Sequence, residues 1–260
     1  MVRFFINSKN KNQKKKFLRR PRDPLIKPFV VIVPAAGRGD RFNQEMPKQY
    51  IRLEGQSILE LSLKPLLDFS ECVGVCIVID SDDQYWSSLS IEGIKLNFIE
   101  GGEKRFDSVM QGLDFWENSN ENYNSILIHD AVRPCVKSDD VRSLLESLDD
   151  DEIDGAILGF PCKDTMKEVS TLDFTIKKTV DRDSLWMAHT PQVFRKEILF
   201  KARRTLETED QSYTDEAALV EARNGKIKVV KGSWDNIKIT FPEDLKLAKS
   251  ILTNQGRLNH

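Results

Sequence analysis

The sequence predicts an α/β fold: a mostly parallel sheet with helices on both faces and a protruding β-hairpin arm. Three observations carry this. Continuous apolar runs at residues 30–33, 73–80, 96–99 and 125–129 read as strands buried on both sides. Segments with helical spacing of apolar residues fall between several of them, as parallel strands require. Residues 155–160, 165–169 and 175–180 are strand-like with no helix between them, which sets that region apart.

In chain order, residues 1–27 are rich in lysine, arginine and asparagine, with a Lys14-Lys15-Lys16 run followed by Pro21 and Pro24. Too little apolar surface is present to offset the entropy of ordering them, so a basic, disordered N-terminal extension is expected before a domain over 28–260. Phe4-Phe5-Ile6 is too short for the core of a secretory signal, and the lysine bias fits an organelle transit peptide poorly. The first strand runs into Pro34-Ala35-Ala36-Gly37-Arg38-Gly39-Asp40-Arg41-Phe42, followed by Pro47-Lys48-Gln49-Tyr50. Gly37 and Gly39 remove the Cβ atoms that keep an anion from backbone N–H groups, and Arg38, Arg41 and Lys48 add positive charge. Phosphate is the expected occupant. The dinucleotide fingerprint fails at Phe42, and the Gly-Lys-Ser/Thr ending of a P-loop is missing.

Residues 58–69 read as a helix with Ser57 as N-cap and Glu60 completing a capping box. A weak helix is expected over 83–89 and a strong one over 106–116. The latter opens from Gly101-Gly102-Glu103-Lys104-Arg105-Phe106-Asp107-Ser108, with Asp107 or Ser108 capping. The strand at 125–129 delivers Asp130 to the ligand edge of the sheet. A hairpin at about 160–185 cannot bury both faces without a covering helix, so an arm reaching into a second chain is expected. The remainder reads as a helix over 215–223 capped by Thr214, strands at 227–230 and 237–240, and a last helix from Pro242.

A chain of 260 residues accommodates one large domain or a domain with an appendage, and a net charge of −2 gives no reason to expect nucleic acid. No apolar run approaches the roughly 20 residues that span a bilayer, so no membrane partner is expected. Cys72, Cys76, Cys135 and Cys162 lack metal-ligand spacing and read as small hydrophobes in a reducing, cytoplasmic compartment.

Asp130 beside a triphosphate pocket needs a divalent metal, a hydroxyl or an arginine, and Arg133 either holds it or faces an anionic substrate. His129 reads as a core histidine. Lys238 alternates with apolar neighbours, and if it points inward it needs an anion.

These segments, with Asp164-Thr165, Thr179-Val180-Asp181-Arg182, Thr190-Pro191-Gln192 and Thr214-Asp215-Glu216, occur in the order and approximate spacing of one family. From about Phe29 to about Leu252 the chain resembles the 2-C-methyl-D-erythritol 4-phosphate cytidylyltransferases of isoprenoid precursor biosynthesis. The resemblance implies a Rossmann-like domain, a homodimer interlocked through the arm, and transfer of a cytidylyl group from CTP with release of pyrophosphate. It also implies Mg²⁺ bridging the CTP phosphates, with Asp130 nearby. Carried onto matching positions, Arg41 and Lys48 stabilise the transition state, Lys238 is a second lysine near the reacting phosphates, and Arg182 joins the catalytic cations. Ala35, Ala36, Gly37, Gly39, Gly102, Glu103 and Ser108 would line the nucleotide pocket. Asp130, Arg133, Thr190 and Thr214 would face the polyol phosphate, with Thr165 and Arg182 arriving from the second chain's arm. Asp40, Glu103 and Val132 depart from the family's usual residues. The ribitol 5-phosphate cytidylyltransferases share the opening loop and the Asp-Ala-x-Arg-Pro segment, and a nucleotide-binding protein without turnover is the alternative from another class.

Overall fold

The computed structural model describes residues 26–37, 42, 46–208 and 213–259. The basic extension up to residue 25 lies outside them, as do Gly39, Asp40 and Arg41 of the opening loop. Ile26 is already part of the core.

Strand β1 (Phe29–Pro34) leads through a small hairpin, β2 (Arg52–Leu53) and β3 (Gln56–Ser57), into helix α1 (Ile58–Leu67). The capping box is formed: Ser57 Oγ accepts from Glu60 N–H at 3.1 Å, and the Glu60 carboxylate accepts from Ser57 N–H at 2.7 Å. Next come β4 (Cys72–Ile79), β5 (Leu96–Glu100), α2 (Arg105–Glu117), β6 (Ser125–Ile128) and α3 (Ser138–Glu146). The weak helix expected at 83–89 is only a 3-10 turn, Trp86–Ser88. Helix α2 takes Lys104 at its N-cap position, with Asp107 accepting the Lys104 N–H at 3.2 Å, so neither Asp107 nor Ser108 is the cap residue.

The chain continues as β7 (Gly155–Pro161), β8 (Met166–Val169), β9 (Ile176–Val180) and β10 (Trp186–Arg195). It ends with α4 (Lys196–Arg204), α5 (Glu216–Glu221), β11 (Ile227–Lys231) and α6 (Glu243–Asn254). The cap of α5 is Asp215, whose carboxylate accepts from Ala218 N–H at 2.9 Å; Thr214, the expected cap, is exposed. The expected strand at 237–240 is irregular chain outside the sheet, tied to the turn after β6 by a backbone bond from Ile239 N–H to Val132 O at 2.9 Å.

One seven-stranded sheet has the order β11-β7-β10-β6-β1-β4-β5. It is parallel except at β10, which runs antiparallel to both β6 and β7. Successive residues of β1 point to opposite faces: Phe29, Val31 and Val33 join a core packed with α1, α3 and α6, while Val30 and Ile32 join a second core with α2, α4 and α5. Both faces are therefore buried, which is why this strand is an unbroken apolar run. β8 and β9 pair with each other in a separate two-stranded sheet, and β8 is exposed along its whole length. This is the hairpin arm.

Candidate active site

The C-terminal ends of β1, β4, β5 and β6 border one cleft of about 650 Å³. The chain leaves β1 toward β4 on one side and returns with β6 on the other, so the cleft opens where the strand order reverses. Ala35, Ala36, Gly37, Lys48, Gly102, Glu103, Ser108, Asp130 and Lys238 line it, along with Gln49, Asp80 and Arg105.

Two glycines shape it differently. A Cβ on Gly101 would lie 2.7 Å from Ala36 Cβ and 2.8 Å from Ser108 Oγ, so its absence lets the loops after β1 and β5 close on each other. A Cβ on Gly37 would meet nothing within 4 Å among the described residues.

Asp130, carried by the turn after β6, is the electrostatic centre. Its buried carboxylate receives Arg105 Nε at 2.9 Å, Lys238 Nζ at 3.0 Å and Arg133 Nε at 3.3 Å. Burial alone would raise its pKa, but Arg105, then Lys238 and Arg133, hold it well below the usual carboxylate range. Arg105 is shared. Its Nη1 and Nη2 donate to the Glu216 carboxylate at 2.9 and 3.1 Å, and Glu216 at the start of α5 is fully buried. Burial pushes the Glu216 carboxyl up from its ordinary value while Arg105 opposes that.

Arg133 stands behind Asp130, with Nη1 donating to Asn236 O at 2.8 Å, so it anchors the segment that presents Lys238. Lys48 Nζ donates to Ile239 O at 2.9 Å, one residue beyond Lys238. The two lysines, distant in sequence, thus meet at one rim.

His129 is fully buried and neutral, pushed down to about 4 by burial. With the proton on Nε2 it donates to Arg133 O at 3.3 Å, and Nδ1 accepts from Thr190 Oγ1 at 3.1 Å. Thr190 Oγ1 in turn accepts Asp130 N–H at 3.0 Å. His129 is a core histidine that fixes the turn carrying Asp130, as expected.

Thr165, Arg182 and Thr214 are exposed and lie outside the cleft lining, and Arg182 Nη1 donates to Lys163 O on its own arm. Arg41 and Gly39 are not among the described residues. Glu216 and Gln49 had no expected role, although both stand in the quoted motifs. A charged or amide side chain beside apolar Ala217 or Tyr50 is the one signal that could have singled them out.

No group of three or more His, Cys, Asp or Glu side chains among the described residues could hold a metal ion. Both Asp130 oxygens are already taken by cations. These side chains do not form a metal cage of their own. No helix among the described residues is long and apolar enough to cross a membrane.

Residues 29–254 match the family described as 2-C-methyl-D-erythritol 4-phosphate cytidylyltransferase. The enzyme of that name from Vibrio vulnificus (strain YJ016) is 38% identical over 228 residues, covering 87% of this chain and 95% of the relative. The crystal structure of the Francisella tularensis enzyme of that name superposes with a TM-score of 0.71 at 34% identity, covering 86% of this chain and all of that one. The 4-diphosphocytidyl-2C-methyl-D-erythritol synthase of Anaerococcus prevotii superposes with a TM-score of 0.74 at 26% identity, covering 87% of this chain and 99% of that one. With a cleft at the strand-order reversal, two lysines on its rim and this extent of identity, the chain belongs to the 2-C-methyl-D-erythritol 4-phosphate cytidylyltransferase family.

Proposed function

We propose that the chain transfers the cytidylyl group of CTP to 2-C-methyl-D-erythritol 4-phosphate, giving 4-diphosphocytidyl-2-C-methyl-D-erythritol and pyrophosphate. The observation that carries this reading is the meeting of Lys48 and Lys238 on one rim of the cleft, Lys238 held by Asp130. The substrate phosphate is already an anionic nucleophile, so no strong general base is needed, and a neutral, buried His129 is no obstacle. The obstacle is repulsion between two anions and charge growth as the α-phosphorus becomes five-coordinate. Preorganised cations lower that barrier, and Lys48, Lys238 and Arg41 are assigned to it.

CTP would lie against Ala35, Ala36, Gly37, Gly39, Gly102, Glu103 and Ser108. The polyol phosphate would lie toward Asp130, Arg133, Thr190 and Thr214, completed by Thr165 and Arg182 from the arm of a second copy in a homodimer. Mg²⁺ would be held by the CTP phosphates and would supply neutralising charge there, since the described side chains offer no cage of their own for it. A cytoplasmic location agrees with three buried thiols, Cys72, Cys76 and Cys135, that are not joined in disulfides.

Pyrophosphate release from CTP with each polyol phosphate tests this. Release with the methylerythritol phosphate, stopped by a chelator, is expected. A preference for ribitol 5-phosphate would move the substrate assignment, and no release with either would leave a nucleotide-binding protein without turnover.

A further inference from the structure

Gln49 is 4% exposed, and a buried primary amide is costly unless its N–H groups are paired. Both are aimed at a single loop: Nε2 donates to Ala35 O at 2.7 Å and to Gly37 O at 3.5 Å. These carbonyls belong to the segment leaving β1 that borders the cleft. The orientation has a consequence for the next peptide group. In a planar trans peptide the N–H of residue i+1 points opposite to the C=O of residue i, so the Ala36 N–H is turned away from Gln49. Among the described residues no backbone acceptor takes that N–H.

Gln49 also shares a 3-10 turn, Lys48–Tyr50, with Lys48, whose Nζ reaches Ile239 O at 2.9 Å. Consecutive side chains of one turn therefore reach two different parts of the cleft lining, Gln49 the loop after β1 and Lys48 the segment that presents Lys238. The turn sets the spacing between a backbone donor and a cation.

We propose that Gln49 is a positioning residue for the phosphates of the nucleotide. It draws the Ala35 and Gly37 carbonyls to its own side, presents the Ala36 N–H to a phosphate oxygen, and holds that donor in register with Lys48. The proposal rests on the reading of CTP as substrate.

Two variants test it. Gln49→Met keeps the volume and removes both donors, whereas Gln49→Glu keeps the shape and sets a carboxylate against two carbonyls. In each, KM for CTP should rise about tenfold, as loss of one or two buried hydrogen bonds allows, while KM for the methylerythritol phosphate stays within about twofold. Protonating the introduced acid restores one donor. The CTP affinity of Gln49→Glu should therefore recover as pH is lowered from about 8 to about 6, and that of Gln49→Met should not.

A space-filling role would leave Gln49→Met with wild-type affinity for CTP. A general loss of structure would raise both KM values together. Either result overturns the proposal. Titration of the wild-type protein with CTP comes first: no binding there overturns the nucleotide reading and this assignment with it, whereas wild-type binding with an unchanged Gln49→Met overturns this assignment alone.

Discussion

The Asp130 cluster and the β8–β9 arm both contain ion pairs, under opposite conditions. In the cluster, Asp130 and Glu216 are buried and share Arg105, with Arg133 and Lys238 on the Asp130 side. On the arm, Lys178 and Glu168 approach to 3.1 Å, with side chains 65% and 48% exposed. Water competes for every charge on the arm, so such a pair adds about 1 kcal/mol at most. In the cluster Asp130, Glu216 and Arg133 have given up hydration for protein partners, while Lys238 keeps contact with solvent, and removing one of the buried charges strands another. Similar distances therefore mean different things: the cluster is a fixed electrostatic frame, and the arm is uncommitted. The arm also exposes Leu172, Phe174 and Ile176.

The contrast breaks first at Glu216. Glu216→Ala should destabilise the protein by about 3 to 5 kcal/mol in urea unfolding, because Arg105 loses the partner of both terminal nitrogens. Glu216→Gln, which still accepts a hydrogen bond, should cost less. A Glu216→Ala variant within about 0.5 kcal/mol of wild type would show that the cluster is as loosely held as the arm.

Much of this frame was legible beforehand, and the illegible parts share a cause. Strands β1 and β4 were readable because burial on both faces leaves an unbroken apolar run. Strand β10 was not, because His189, Thr190, Pro191 and Gln192 interrupt it, and Thr190 and Gln192 are occupied in bracing Asp130 and Asp215. Side chains committed to bracing neighbouring turns overrode the strand pattern. The alternation in Asn236-Ile237-Lys238-Ile239-Thr240 suggested a strand, but alternation reports only that one side is buried, and a single bond to Val132 O suffices for that. Asp130 was placed correctly at a strand end. The Arg105–Glu216 pair was beyond reach, since its partners are separated by 111 residues and nothing local relates them.

Lys48 sharpens the contrast from the side of chemistry. If the frame positions cations for charge growth at phosphorus, Lys48→Ala should lower kcat by roughly a hundredfold or more, as when one preorganised donor is lost. Stability should fall by less than in Glu216→Ala, since Lys48 lines the open cleft and water can take its place at the Ile239 carbonyl. Steady-state kinetics beside thermal melting separates the two effects, and an unchanged kcat would remove Lys48 from the mechanism.

The smallest effect belongs to the arm. Arg182 is exposed and bonds only to Lys163 O among the described residues, so Arg182→Ala should leave the melting temperature unchanged. If Arg182 reaches the polyol phosphate, the variant should raise KM for that substrate about tenfold and leave KM for CTP alone, the loss expected of one charge-assisted hydrogen bond. If the chain forms the proposed homodimer, mixing variants decides which chain it serves. A heterodimer of Arg182→Ala and Lys48→Ala protomers has one intact site only if the arm crosses to the other subunit: that site takes Lys48 from the first protomer and Arg182 from the second. After subunit exchange at equal amounts, about half the dimers are mixed and each has one good site of two, so activity below KM should recover to roughly a quarter of wild type. Without crossing, the mixture stays near the average of its parents, roughly a twentieth. Recovery requires both that the arm crosses and that Lys48 and Arg182 act in one site; a mixture that stays near the parents' average would assign Arg182 to its own subunit, and an Arg182→Ala variant with wild-type KM would leave the arm a solvated hairpin with no part in the cleft.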